Sequence, residues 1–298
     1  GRGRSGLTDA QHKDGKNARQ VVRWLEDRDY GNKPFFIALG LQKPHVPFLA
    51  PDKYFDLYPF DKITYKTDRP TLWDFLPQSA LSKRYEAFGF NFAKENHALR
   101  KEYMQAYHAC VSFIDAQLGL VMDGLKKQGL WEDTVIVFTS DHGYHLGDHF
   151  IWGKVTLFDI GAKVPFIIRA PGLSKSGATS EAMVELIDIY PTLASLAELK
   201  IPNHLQGSSL RPLLGHPERL GKKKYAYSVV TRGPKNLGYA LRNQNWRYGK
   251  WPDGEELYNL RSDPQEKNNL AQKEHVKKRL EEFRKILAEK QKNLEEGN

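Results

Sequence analysis

The chain has 298 residues, of which 40% are hydrophobic and 27% charged. That is enough apolar mass for one large domain, or for one domain with a small companion. No run of about 18 apolar residues occurs, so no membrane-spanning helix is expected. The net charge of +9 favours anionic partners. The basic residues are dispersed and lack the aromatic interleaving of a nucleic-acid platform, so nucleic acid is not an expected partner.

The N-terminal Gly1-Arg2-Gly3-Arg4-Ser5-Gly6 is basic without an apolar segment behind it, unlike a secretory signal. Asp14 to Asp27 has helical spacing, with Ala18, Val21, Val22 and Leu25 on one face. Pro34 to Leu41 reads as a buried strand, ending in the proline-stiffened loop Gln42 to Phe48. Residues 50–98 are aromatic and proline-interrupted, which predicts a surface excursion with short helices that shapes a site.

A long helix is predicted from Leu99 to Gly129, with Tyr103, Tyr107, Val111, Ile114, Leu118, Val121 and Leu125 as its apolar face. The lone cysteine, Cys110, lies inside it and reads as a small buried hydrophobe. No intrachain disulfide is possible. The β-branched run from Thr134 to Thr139 reads as a buried strand of a parallel sheet, ending at Ser140-Asp141-His142-Gly143. A further strand, Val164 to Arg169, and a helix, Val184 to Leu199, follow.

The alternation implies an α/β fold, with a mostly parallel sheet flanked by helices. The pattern shifts near residue 220. Short strands, a Pro252-Asp253-Gly254 turn and a charged amphipathic helix from Gln272 to Glu296 predict a small C-terminal antiparallel α+β subdomain. The expected division is therefore residues 1–220 and 221–298.

Ligands of open α/β sheets sit beyond the carboxyl ends of strands, which is where Asp141 and His142 fall. Lys154 follows across a loop carrying Gly143, Gly147 and Gly153. Carboxylate, imidazole and ammonium together suit a metal ion beside an anionic group. The competing readings are a helix cap for Asp141 and a surface lysine for Lys154. Two ligands do not complete a Ca²⁺ shell, and an imidazole ligand leaves the choice of metal open. His142, His145 and His149 could mimic a zinc cluster, but a glycine-rich loop argues for loop or substrate-contact roles.

Ser140-Asp141-His142-Gly143-Tyr144-His145-Leu146-Gly147-Asp148-His149 and Trp152-Gly153-Lys154 resemble the metal-and-sulfate segment of the sulfatase family. The resemblance is closest to the iduronate-2-sulfatase branch, which has His where most of the family has Asn. Lys43-Pro44-His45-Val46-Pro47-Phe48 is similar to the family's Lys-Pro-His-x-Pro-Phe run. Tyr107 to Gly119, Val164 to Ile167, Glu185 to Leu193 and Glu256 to Pro264 match further family segments in the family's order.

The resemblance implies the alkaline-phosphatase-like fold and hydrolysis of sulfate esters of carbohydrates. It implies a divalent metal, Ca²⁺ first, held in part by Asp141 and His142. Lys154 would bind a sulfate oxygen. His45 would protonate the departing alcohol, a role that suits an imidazole, with a proline-locked structural histidine as the alternative. Lys43 and His145 would join Lys154 in substrate contact.

By the same resemblance the protein would be secreted, periplasmic or lysosome-like. The family's nucleophile is a formylglycine made from the cysteine of Cys-x-Pro-Ser-Arg. Cys110 is followed by Val-Ser-Phe, so no nucleophile is assigned within these residues. The expectation is the C-terminal part of a longer polypeptide, with an N-terminal chain of the same precursor as a potential partner. The alternatives are a non-catalytic sulfatase-like glycan-binding protein, or a phosphodiesterase or phosphonate hydrolase of the same superfamily.

Overall fold

The computed structural model of the chain describes residues 1–81, 96–233 and 236–296. The part of the predicted excursion at residues 82–95 lies outside the described residues. The chain divides into two compact units, one of residues 1–66 and 85–134 and one of residues 67–84 and 135–298. The division expected at residue 220 is not where the contacts part.

In the first unit, β1 (Arg2–Arg4) pairs in parallel with β2 (Phe48–Ala50). Helix α1 (Lys13–Asp27) buries Ala18, Val21 and Leu25, as its spacing predicts. After β2 and the short α2 (Asp52–Asp56), α3 (His97–Lys127) begins at Asn96, whose side chain accepts from the Leu99 amide. Gly124 of α3 faces α1: a Cβ there would lie 3.3 Å from Val22 Cγ2.

The buried face of α3 is Tyr103, Ala106, Cys110, Phe113, Gln117, Val121 and Leu125. It is rotated from the predicted face, and Val111 is 40% exposed. Its fully buried positions combine the small Ala106, Ala109 and Cys110 with the large Tyr103 and Phe113. Burial raises the Cys110 thiol pKa to about 12, in keeping with a buried small hydrophobe.

Pro34 to Leu41 is not a strand. Exposed and half-buried residues alternate along it, and Phe36 is 80% exposed. Alternation supplies the local geometry of a strand, but a strand also needs a hydrogen-bonding neighbour.

In the second unit, residues 67–81 are followed after residue 135 by β3 (Ile136–Thr139), then the hairpin β4 (His145–Leu146) and β5 (Trp152–Gly153), then α4 (Asp159–Ala162) and β6 (Phe166–Arg169). β3 pairs with β6 antiparallel, Ile136 against Arg169 and Thr139 against Phe166. This corrects the buried parallel strand read from the sequence: all four β3 residues are only half-buried. A β-branched run records strand propensity but not the direction of its neighbour.

The predicted helix at Val184 to Leu199 is confined to α5 (Ile189–Leu196). Asp188 ahead of it accepts from the Ser208 amide at 2.7 Å and pairs with Lys223 at 2.8 Å. The short α6 (Arg211–Gly215) follows.

The C-terminal antiparallel sheet is as predicted. β7 (Ala226–Thr231), β8 (Leu237–Arg242), β9 (Trp246–Trp251) and β10 (Gly254–Asn259) form a meander. Trp251 pairs with Gly254 across the Pro252-Asp253 turn. α7 (Lys277–Glu295) lays Leu280, Phe283 and Leu287 against Leu241, Tyr248 and Leu257. No helix of the described residues is long and apolar enough to cross a membrane.

Candidate functional site

β3 delivers the chain to Asp141. Ser140 Oγ donates to the His142 carbonyl at 3.0 Å, and Asp141 Oδ1 accepts from the His142 amide at 3.0 Å. No helix follows Asp141, so the capping alternative has no helix to cap. Gly143 is required here by close approach. Its amide donates to the Gly161 carbonyl at 2.9 Å, and a Cβ would lie 2.0 Å from the Ile160 carbonyl oxygen.

Asp141, His142 and Lys154 meet. The His142 Nδ1 lies 2.9 Å from the Gly143 carbonyl. A carbonyl only accepts, so Nδ1 carries the proton and Nε2 faces outward. Lys154 Nζ lies 3.1 Å from that Nε2, and Asp141 Oδ2 lies 3.4 Å from it. The Asp141 side chain is 83% exposed.

Asp141 and His142 thus present one hard oxygen donor and one imidazole lone pair side by side. A backbone acceptor on Nδ1 is the usual outer support of a metal-ligating histidine. The pair fits as two members of a donor set, well short of the roughly six to eight oxygens that Ca²⁺ takes. No group of three His, Cys, Asp or Glu suited to a metal occurs among the described residues. His142, His145 and His149 do not make up such a group.

His145 and His149 are interior. His145 is fully buried, with Nδ1 3.0 Å from the Asp148 carbonyl and Nε2 2.7 Å from Thr156 Oγ1. Both nitrogens are engaged and no edge reaches solvent, which corrects the substrate-contact reading of His145. Burial is the main cause that lowers its pKa, to about 3. His149 stacks on Phe158 at 3.8 Å, and burial lowers its pKa too. Both stay neutral at neutral pH.

The loop between β4 and α4 that carries Lys154 is gripped by residues the sequence reading missed. Thr67 Oγ1 donates to the Gly147 carbonyl at 3.0 Å and Trp73 Nε1 to the His149 carbonyl at 2.7 Å. Asp68 accepts from the His149 amide at 2.8 Å and pairs with Lys267 at 2.7 Å. This part of the excursion does shape the loop, as expected. From the other side, Ile151 and Phe158 pack with Tyr258 and Leu260.

In the first unit, Asp14 of α1 is 2% exposed and accepts from the amides of Gln42 and Lys43 at 2.8 and 2.9 Å. That anchor sets the Lys43–Phe48 loop. Lys43 Nζ donates to the carbonyls of His45 and Pro47. His45 is exposed, and its Nδ1 lies 2.7 Å from the Val46 carbonyl, so Nε2 is presented to solvent. The structure thus places His45 and Lys43 in one unit, and Asp141, His142 and Lys154 in the other.

Comparison with known proteins gives two family matches: the family described as Sulfatase over residues 3–199, and the C-terminal region of N-sulphoglucosamine sulphohydrolase over residues 147–293. A protein of Formosa agariphila named Sulfatase is 36% identical over 274 residues, covering 90% of this chain and 52% of its own length. Human iduronate 2-sulfatase is 29% identical, covering 86% of this chain and 62% of its own length. The chain therefore spans little more than half the length of these curated relatives.

Among solved structures, a protein in complex with its substrate D-glucosamine-2-N,6-O-disulfate superposes with a TM-score of 0.82 at 23% identity, over 96% of this chain and 70% of its own. The phosphonate monoester hydrolase of Silicibacter pomeroyi gives 0.84 at 25% identity, over 98% of this chain and 62% of its own.

Proposed function

The chain belongs to the sulfatase family, and from that premise we propose that it supplies the sulfate-holding and leaving-group residues of a sulfuric ester hydrolase acting on sulfated carbohydrate. The observation that carries this reading is the convergence of Asp141, His142 and Lys154 at the end of β3, with Lys154 Nζ 3.1 Å from His142 Nε2. The names of the relatives support the carbohydrate class. The similarity to iduronate 2-sulfatase extends to arylsulfatases, so the iduronate branch is a narrower proposal within this one.

In this reading Asp141 and His142 hold part of the coordination of a divalent metal, Ca²⁺ first. When bound, that ion would polarise the sulfate as a Lewis acid. The Lys154 ammonium, on a half-buried stem, binds a sulfate oxygen as a point charge. His45 acts as general acid: the Val46 carbonyl steadies its Nδ1 proton, and Nε2, when protonated, donates to the departing alcohol oxygen. The family's nucleophile is formylglycine, and its Cys-x-Pro-Ser-Arg motif does not occur in these 298 residues. The nucleophile would come from outside them, carried by the same precursor. A secreted or lysosome-like compartment would suit a sulfated-glycan substrate.

The test uses the full natural protein. His45→Ala should slow carbohydrate sulfates, with their poor leaving groups, far more than aryl sulfates, which need no proton to depart. Equal losses on both would remove the general-acid role. Asp141→Ala should abolish metal-dependent turnover, and an unaffected variant would sink the ligand assignment. The fold match to a phosphonate monoester hydrolase supports a second reading, in which the same cation holds a phosphonate ester. Turnover of phenyl phosphonate in preference to any sulfate ester would favour it.

A further inference from the structure

The loop that brings Lys154 to His142 is under backbone strain. His149, Phe150 and Val155 have φ values of 55°, 57° and 69°. Such left-handed conformations are disfavoured outside glycine and persist only where the surroundings impose them. Val155, being β-branched, is the most disfavoured of the three. It directly follows Lys154.

Part of what holds them comes from the turn after β10, in addition to the Thr67, Asp68 and Trp73 contacts. Glu266 is 2% exposed and works in three directions. Its Oε2 accepts from the Asp159 amide at 2.6 Å. Its carbonyl accepts from His149 Nε2 at 3.1 Å. Its Oε1 pairs with Arg247, which is 1% exposed and which Glu256 also holds at 3.4 Å. The Arg247 guanidinium lies over the rings of Phe158 and Tyr258 at 4.9 and 4.6 Å, and Phe158 in turn stacks on His149. One side chain and its carbonyl therefore clamp both ends of the strained segment, at His149 and Asp159, with Lys154 between them.

We infer that Glu266 is a positioning residue for Lys154. Resting on the function proposed above, it acts on sulfate only through the loop it closes. Glu266 touches neither Lys154 nor His142 in any hydrogen bond or ion pair described, so its influence passes through the His149 imidazole and the Asp159 amide. A carboxylate is suited to the task because it accepts from both Arg247 and the Asp159 amide. An amide in its place turns a donor toward one of them. Losing one acceptor in a buried site leaves its partner unsatisfied.

The test is Glu266→Gln in the full natural protein, read in two ways. The first is amide hydrogen exchange, with no requirement for activity. Exchange over residues 150–157 should accelerate by at least tenfold while the α3 and α7 amides keep their rates. Unchanged exchange in that segment overturns the inference. The second is kinetic coupling on a sulfate ester.

Glu266→Gln alone should lower kcat/KM by about ten- to a hundredfold, as loss of outer-layer support commonly does. In the Lys154→Ala background the same change should cost less than about threefold, because the residue it positions is gone. Equal losses in both backgrounds also overturn it, since a purely structural lesion would multiply. If the wild-type protein hydrolyses no sulfate ester while exchange accelerates as expected, the proposed function fails and the clamp stands. Should Glu266→Gln not fold, Asp68→Asn removes a milder grip on the His149 amide. It should give a smaller acceleration confined to the same segment, and its absence would count against the inference.

Discussion

Lys154 Nζ sits on the outward nitrogen of His142, 3.1 Å away, while the ring's other nitrogen is held by the Gly143 carbonyl at 2.9 Å. The lysine thus occupies the lone pair that a metal ion would use. A divalent cation at His142 has to displace the ammonium, which then becomes free to meet an anion.

Two opposite effects should follow from Lys154→Ala in the full protein. Affinity for Ca²⁺ should rise a few-fold, because the competing cation is removed. Affinity for inorganic sulfate should fall by tenfold or more, because its point charge is lost. Calorimetric titration with each ion separates the two. A variant that loses both together would mean that the lysine supports the metal rather than competing with it.

Gly143→Ala should be among the most damaging small substitutions in the second unit. The added Cβ would meet the Ile160 carbonyl oxygen at 2.0 Å, and that neighbour is backbone rather than a movable side chain. The turn at Asp141 and the first residues of α4 would be forced apart. Overpacking of this kind costs about 1–3 kcal/mol. A thermal midpoint within a degree of wild type would show that the two segments are not in contact.

Asp14 offers a parallel case in the first unit. Its two carboxylate oxygens each accept one backbone amide, from Gln42 and from Lys43. Asp14→Asn keeps the shape but leaves one acceptor for two part-buried donors. The expected cost is about 1–3 kcal/mol, with faster amide exchange at residues 42–43. Unchanged exchange at those two amides would remove Asp14 as the anchor of the His45 loop.

The elements legible in the sequence were those whose signal is local. α1 shows its buried stripe at Ala18, Val21 and Leu25, and the hairpin at Pro252-Asp253 declares itself by turn chemistry. Asp141, His142 and Lys154 were legible because a strand end, a carboxylate and a glycine-rich loop lie close in sequence. The errors came where a partner decides the outcome. Pro34 to Leu41 has strand composition but no strand beside it among the described residues, and the neighbour of β3 runs antiparallel. His145 looked like a contact residue because an imidazole in a glycine-rich loop is open to either reading. Only burial distinguishes a ligand from a histidine bonded on both nitrogens. Glu266 carried no local signal at all, since its role exists only once residues 149, 159 and 247 surround it.

The same two buried histidines set a pH dependence of stability. His145 has a folded pKa of about 3, lowered mainly by burial from an ordinary 6.5. His149 is lowered for the same first reason. A depressed histidine is neutral in the folded chain while the unfolded chain takes up a proton. The unfolded state therefore binds more protons between those two values, and stability falls as pH falls below about 6.5. No loss arises above that point, where both states are neutral. At pH 5 the His145 contribution alone amounts to about 2 kcal/mol of lost stability, and His149 adds in the same direction. Denaturant titrations at pH 7, 6 and 5 should show that decline, and His145→Asn should flatten it whatever it does to the absolute stability at pH 7. An undiminished slope in the variant would place the proton uptake elsewhere and remove His145 as its source.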